Sequence, residues 1–177
     1  MQKSILIMLT LLLAAGIAMT AGDHQYAGTK KCKMCHKGEA KGMIFEKWET
    51  GPHARAYTVL GEQHAKDVYT KLGREGNPQE DPACLKCHVT GYGIDTLLTS
   101  NLAKDEGITC EACHGAGGDY WKKTVMENRD MAIENGMTAD AKAVCIGCHN
   151  AESPTYKEFK FEEYWAKITH SRPKTEG

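Results

Sequence analysis

The sequence predicts a mostly α-helical fold with long irregular loops, and three observations point that way. Short amphipathic stretches recur, each cut off by Gly or Pro. No long aliphatic run follows the first 21 residues, and one five-residue motif repeats four times at uneven spacing. With 3 Phe against 18 Gly, the chain has too little apolar bulk for an ordinary core and needs a disulfide, metal or cofactor to help build one.

Residues 1–21 carry one cation, Lys3, then an apolar run over 5–18 and the small residues Ala18, Thr20 and Ala21, which is the make-up of a cleaved signal peptide. The run is shorter than the roughly 20 residues a membrane helix needs, and no integral membrane span is expected further on. Residues 22–177 then form a single domain. Lys3 aside, 21 basic side chains stand against 23 acidic ones, a balance that gives nucleic-acid binding no support.

The eight cysteines fall into four pairs, Cys32 and Cys35, Cys84 and Cys87, Cys110 and Cys113, Cys145 and Cys148, each followed at once by a histidine: His36, His88, His114 and His149. C-x-x-C-H is the attachment motif of haem c. Two thiols three residues apart reach the two vinyl groups of one porphyrin, and the adjacent imidazole becomes the proximal iron ligand. Zinc or four disulfides would use the cysteines but would not ask for a histidine after every pair. At a background of about 2%, four such histidines arise by chance on the order of once in several million. Four covalently attached haems are therefore expected, in a periplasmic or extracellular protein, since attachment takes place outside the cytoplasm.

After the first motif, residues 37–50 read as a helix with Ile44, Phe45 and Trp48 on one side, stopped by Gly51 and Pro52. A second helix is expected over 53–72, ending at Gly73, and 74–82 is a loop rich in Gly, Asn, Pro and charge. Between the second and third motifs Gly91, Gly93 and Gly107 mark an irregular segment able to close as a short β-hairpin. A helical pattern returns over 119–135 with Trp121, Val125, Met126 and Ile133 as core positions. Thr138 caps a helix feeding the fourth motif. Ser153 and Pro154 make a cap and first-turn pair ahead of an aromatic-rich helix over 159–168.

Four histidines lie outside the motifs: His24, His53, His64 and His170. Four irons and four spare imidazoles suggest bis-histidine coordination, hence low-potential carriers. His53 follows Gly51 and Pro52 with small Ala54 behind it, and His170 closes the last helix before Ser171, Arg172 and Pro173. His64 sits mid-helix among charges, and His24 lies near the mature N-terminus. Met43, Met126, Met131 and Met137 are expected as core fillers rather than ligands, and Met34 cannot easily serve its own motif.

The stretches Tyr26 to Cys32, Trp48 to Ala56 with Pro52, His53 and Ala54, Asp81 to Cys84 with Cys87 to Gly93, Gly107 to Cys110 with Cys113 to Gly117, and Ser153 to Tyr156 through His170 give the chain a resemblance to a known family. From about Tyr26 to Pro173 it resembles the tetrahaem cytochrome c-554 family. The resemblance implies a multihaem cytochrome c scaffold organised around four closely packed, partly stacked haems, with His53 and His170 as distal ligands and redox proteins as partners. Relatives named for ammonia oxidation take electrons from hydroxylamine oxidoreductase and keep one haem five-coordinate. Some relatives place a histidine shortly after the third motif, where this chain has Asp119, Tyr120 and Trp121, which makes His24 or His64 the substitute.

The expected activity is electron transfer between redox partners. One rival is an enzyme that reduces a small nitrogen compound at an open haem, with Tyr120, Asp119 or Tyr92 as proton donor. Another is a homo-oligomer or extracellular filament in which His24 ligates a neighbour's haem.

Overall fold

The four motifs dictate where the helices end. In the computed structural model, which describes residues 24–171 and 173, the motifs occupy last turns: α1 (Thr29–His36) and α4 (Pro82–His88) finish on their histidines. The whole of α5 (Cys110–His114) is the third motif, and α8 (Ala141–Cys148) stops one residue short of His149. Residues three apart share a helix face, so each turn presents both thiols of a pair to the same side.

The remaining helices are short: α2 (Ile44–Glu49), α3 (Gln63–Lys71), α6 (Lys123–Met126), α7 (Arg129–Glu134) and α9 (Phe161–Ile168), with single 3₁₀ turns at Glu39–Lys41, Thr58–Gly61 and Lys104–Glu106. The α-rich, loop-rich expectation holds, and the signal peptide expected over 1–21 lies outside the described residues. Packing radiates from α5, which touches both α1 and α8, while α1 also meets α2. Large buried apolar side chains are scattered, chiefly Phe45, Leu60, Tyr69, Leu85 and Tyr120.

Several expected elements break where backbone or side-chain groups find other partners. The helix read over 37–50 is split at Gly42 and Met43, both in the left-handed region, because the chain there packs on Ser171; a Cβ on Gly42 would lie 2.3 Å from the Ser171 carbonyl oxygen. The helix read over 53–72 starts only at Gln63. Before it, the carbonyls of His53, Ala56 and Tyr57 accept from Ile108 N–H, His88 Nδ1 and Gln79 Nε2, so they serve other parts of the fold.

The β-hairpin expected between the second and third motifs is replaced by turns, and no strand forms among the described residues. Asp95 folds the segment back on itself, accepting from the backbone N–H groups of Leu97, Leu98 and Thr99. The ends are clamped by Thr90 rather than by a ladder: its N–H and hydroxyl both donate to the Gly107 carbonyl, and Thr109 N–H donates to its hydroxyl at 2.7 Å.

Residues 119–135 form two helices, because Asn128 leaves the first and caps the second, its Oδ1 accepting from Met131 N–H at 3.1 Å. Ala132 is fully buried there, whereas Trp121, Val125, Met126 and Ile133 are half-buried and Met131, like Met43, is exposed rather than core. Asp140, not Thr138, caps α8, because the helix starts only at Ala141 and the Asp140 Oδ1 accepts from the Lys142 and Ala143 N–H groups. Ser153 and Pro154 lie in a turn ordered by Asn150, and the last helix begins at Phe161.

Candidate haem centre

No disulfide joins any two of the eight cysteines. Their neighbours place the motifs in a row. α1, which ends on the first motif, packs against α5, the third, and brings Cys32 beside Cys110. α5 packs likewise against α8, which carries the fourth motif, and Cys148 lies near Cys87 of the second. The spatial order is first, third, fourth, second, which differs from the order along the chain.

A cavity of about 950 Å³ runs along the first half of that row. Cys32, Cys35 and His36 of the first motif line it, with Cys110, Cys113 and His114 of the third, and His53 and His170 face into it. That is near the upper end of the roughly 300–1,000 Å³ typical of ligand sites. A second cavity of about 510 Å³ is lined by His24, Cys148 and residues 89–91 that follow His88.

The spare histidines are distributed unevenly. His170 lies opposite His114 with ring centroids 6.0 Å apart, and His53 opposite His149 at 6.2 Å. Two imidazoles on opposite sides of one metal ion place their centroids about 6.2 Å apart, from metal–nitrogen bonds of roughly 2.0 Å and nitrogen-to-centroid distances of roughly 1.1 Å. Both separations are close to that span. Burial, and then the facing ring, lowers the pKa of His53 and His114, and burial lowers that of His149; all three favour the neutral imidazole that ligates a metal.

Hydrogen bonds fix the orientation of several rings. His170 Nδ1 donates to the Ile168 carbonyl at 3.1 Å, and His88 Nδ1 to the Ala56 carbonyl at 2.5 Å, which leaves Nε2 of each for a metal. His53 is positioned by Gly107. At φ +67 this glycine lies so close that a Cβ would be 2.8 Å from the His53 carbonyl oxygen. Phe159 stacks on His149 with ring centroids 4.7 Å apart.

His24 is mostly buried and its Nδ1 donates to Asp119 Oδ2 at 2.8 Å, so it is engaged within its own chain rather than held out toward a neighbour. His64 sits exposed in the first turn of α3 and lines neither cavity. Sequence reading missed the orienting roles of the Ala56 carbonyl and Asp119, and also the burial of Glu111 inside the third motif. Gly117, six residues past Glu111, was the visible hint of a backbone approaching closely.

No solved structure matches the chain. The family model described as cytochrome c554 and c-prime matches residues 31–115, which contain the first three motifs. Cytochrome c-554 of Nitrosomonas europaea is 31% identical over 180 residues, covering 88% of this chain and 73% of that protein. The C-type polyheme cytochrome OmcC of Geobacter sulfurreducens is 30% identical over 76 residues, 40% of this chain and 10% of that much longer protein. Motifs, paired rings and relatives agree: the chain belongs to the cytochrome c-554 family and is a multihaem electron-transfer cytochrome with covalently bound haem c.

Proposed function

We propose that the chain is a tetrahaem electron carrier working outside the cytoplasm, exported by a leader at residues 1–21 and folded as one domain over 22–177. The observation that carries this reading is the pair of ring separations, 6.0 and 6.2 Å, opposite the third and fourth motif histidines. In it, Cys32 and Cys35, Cys84 and Cys87, Cys110 and Cys113, and Cys145 and Cys148 each take one haem c through two thioethers. His36, His88, His114 and His149 are the proximal ligands, with His170 opposite His114 and His53 opposite His149. Bound haem supplies a one-electron Fe(III)/Fe(II) couple.

The chain's part is to hold these groups close and limit rearrangement. An imidazole on each face keeps the iron's surroundings alike in the two oxidation states. The row of motifs gives electrons a path from first to third to fourth to second. Its first end reaches solvent, where Met34 is 70% exposed and Cys35 is exposed, and a redox protein partner docks there. His24, tied to Asp119 through Nδ1, is the ring offered on the side of the smaller cavity.

A second reading gives the iron on His88 an open position that binds a small nitrogen compound. What favours it is the exposure of His64 and the attachment of His24 to Asp119. Electron paramagnetic resonance of the oxidised holoprotein separates the two, because the carrier reading expects the haem on His88 to be low-spin and the second expects it to be high-spin and shifted by nitric oxide. His170→Ala and His53→Ala are each expected to turn one haem in four from low to high spin, and His64→Ala to change nothing. Unchanged spectra in the first two variants would overturn the pairing.

A further inference from the structure

The third motif encloses a carboxylate that haem attachment does not call for. Glu111, between Cys110 and Ala112, is 3% exposed. Its Oε1 accepts from Ala27 N–H at 2.7 Å and Gly117 N–H at 2.6 Å, and its Oε2 from Gly28 N–H at 2.8 Å. Three backbone donors converging on one side chain suit an ionised carboxylate, which only accepts.

Neighbouring groups register that charge. Burial and then the Glu111 carboxylate push the phenols of Tyr120 and Tyr26 up, and the same charge reaches the thiols of Cys32 and Cys110. A second carboxylate stands on the same side: Glu106, half-buried, accepts from the Thr29 hydroxyl at 3.0 Å and also acts on Cys110. The acidic groups beside the other two motifs are differently placed. Asp81 is paired with Arg74 at 2.7 Å, Glu152 with Lys86, and Asp140 is an exposed cap.

We propose that Glu111, assisted by Glu106, is a potential-setting residue whose fixed negative charge makes the haems on the first and third motifs harder to reduce than those on the second and fourth. The inference rests on the four-haem reading above. On reduction each iron gains one electron from the donor, passing from Fe(III) to Fe(II), with no bond made or broken in the protein. A nearby negative charge favours the more positive ferric form, most strongly where water is excluded. The row then acquires a direction. Electrons arriving at the solvent-exposed first motif run toward the second.

The test is a stepwise spectroelectrochemical titration of the holoprotein and its Glu111→Gln, Glu111→Asp and Glu106→Gln variants. Glu111→Gln is expected to ease reduction of the two lowest-potential haems by about tenfold in equilibrium constant, 59 mV for one electron, while the other two move far less. Glu111→Asp keeps the charge and should stay near the parent, and Glu106→Gln should move the same pair by a smaller amount. A uniform shift of all four, no shift, or equal shifts in the Asp and Gln variants would overturn the proposal. If Glu111→Gln does not accumulate as holoprotein, unmoved low potentials in Glu106→Gln overturn it instead. Failure of the four-haem reading shows separately, as fewer than four haems per chain in a pyridine haemochrome assay.

Discussion

The third motif and the second are built from the same five-residue pattern and are held in opposite ways. The second is carried by α4, a helix made by ordinary local rules: Asp81 caps it, accepting from Ala83 N–H at 2.8 Å, Pro82 opens it, and surface ion pairs flank it. The third is a five-residue helix with no side-chain cap, too short to be stable alone. It is held from outside by the Ala27, Gly28 and Gly117 N–H groups donating to its Glu111, by the Tyr120 hydroxyl donating to the His114 and Gly115 carbonyls, and by packing on α1 and α8. One attachment site is a local structure, and the other exists only when the rest of the domain surrounds it.

That contrast is most sharply tested by removing each thiol pair. Cys84→Ala with Cys87→Ala is expected to cost one haem and leave the other three attached. Cys110→Ala with Cys113→Ala should cost one haem and about 4 kcal/mol or more of stability, the range in which losing a covalent or metal tether falls. Haem counting and thermal unfolding of the purified variants check this. Equal melting temperatures would mean that α5 is not the centre of the fold.

A smaller effect is expected at Gly107, which links the two regions by fixing His53 against the third motif's approach. Gly107→Ala puts a Cβ 2.8 Å from the His53 carbonyl oxygen at a positive φ, which should cost about 1–3 kcal/mol. It should also loosen the ring facing His149, read as partial high-spin character at one haem, whereas the same change at Gly73, with open space around it, should leave the spectrum alone.

These residues also mark how much the sequence could tell. The four attachment motifs were legible because the chemistry sits in five consecutive residues, and His53 and His170 because Pro52 and the end of the last helix give them local context. His24 and His64 looked alike on paper, since what separates them is Asp119, 95 positions from His24, and a helix that begins at Gln63. The hairpin expected around Gly91 and Gly93 was misread for a similar reason. Glycines announce a turn but not that Thr90 will close the loop with its hydroxyl in place of a ladder. The helix over 53–72 had the right periodicity and lost it where carbonyls were claimed by partners 20 or more residues away, His88 and Ile108 among them, while that over 37–50 was broken at Gly42 by close packing on Ser171.

The smallest expected effect lies at the locally built motif and depends on pH. The Asp81 carboxyl is held below its ordinary range first by the Ala83 N–H and then by Tyr69 and Arg74. Because its folded-state pKa is lowered, the cap's contribution is fully present above the unfolded carboxyl value. It fades as pH falls through the folded one, where the protonated acid stops accepting from the helix N-terminus. Melting curves of the parent and Asp81→Asn should therefore differ modestly at neutral pH and converge in acid below the ordinary carboxylate range, with the haem on His114 unaffected throughout. A difference that persisted or grew in acid would mean that α4 is held by the domain, as α5 is, and would remove the distinction between the two motifs.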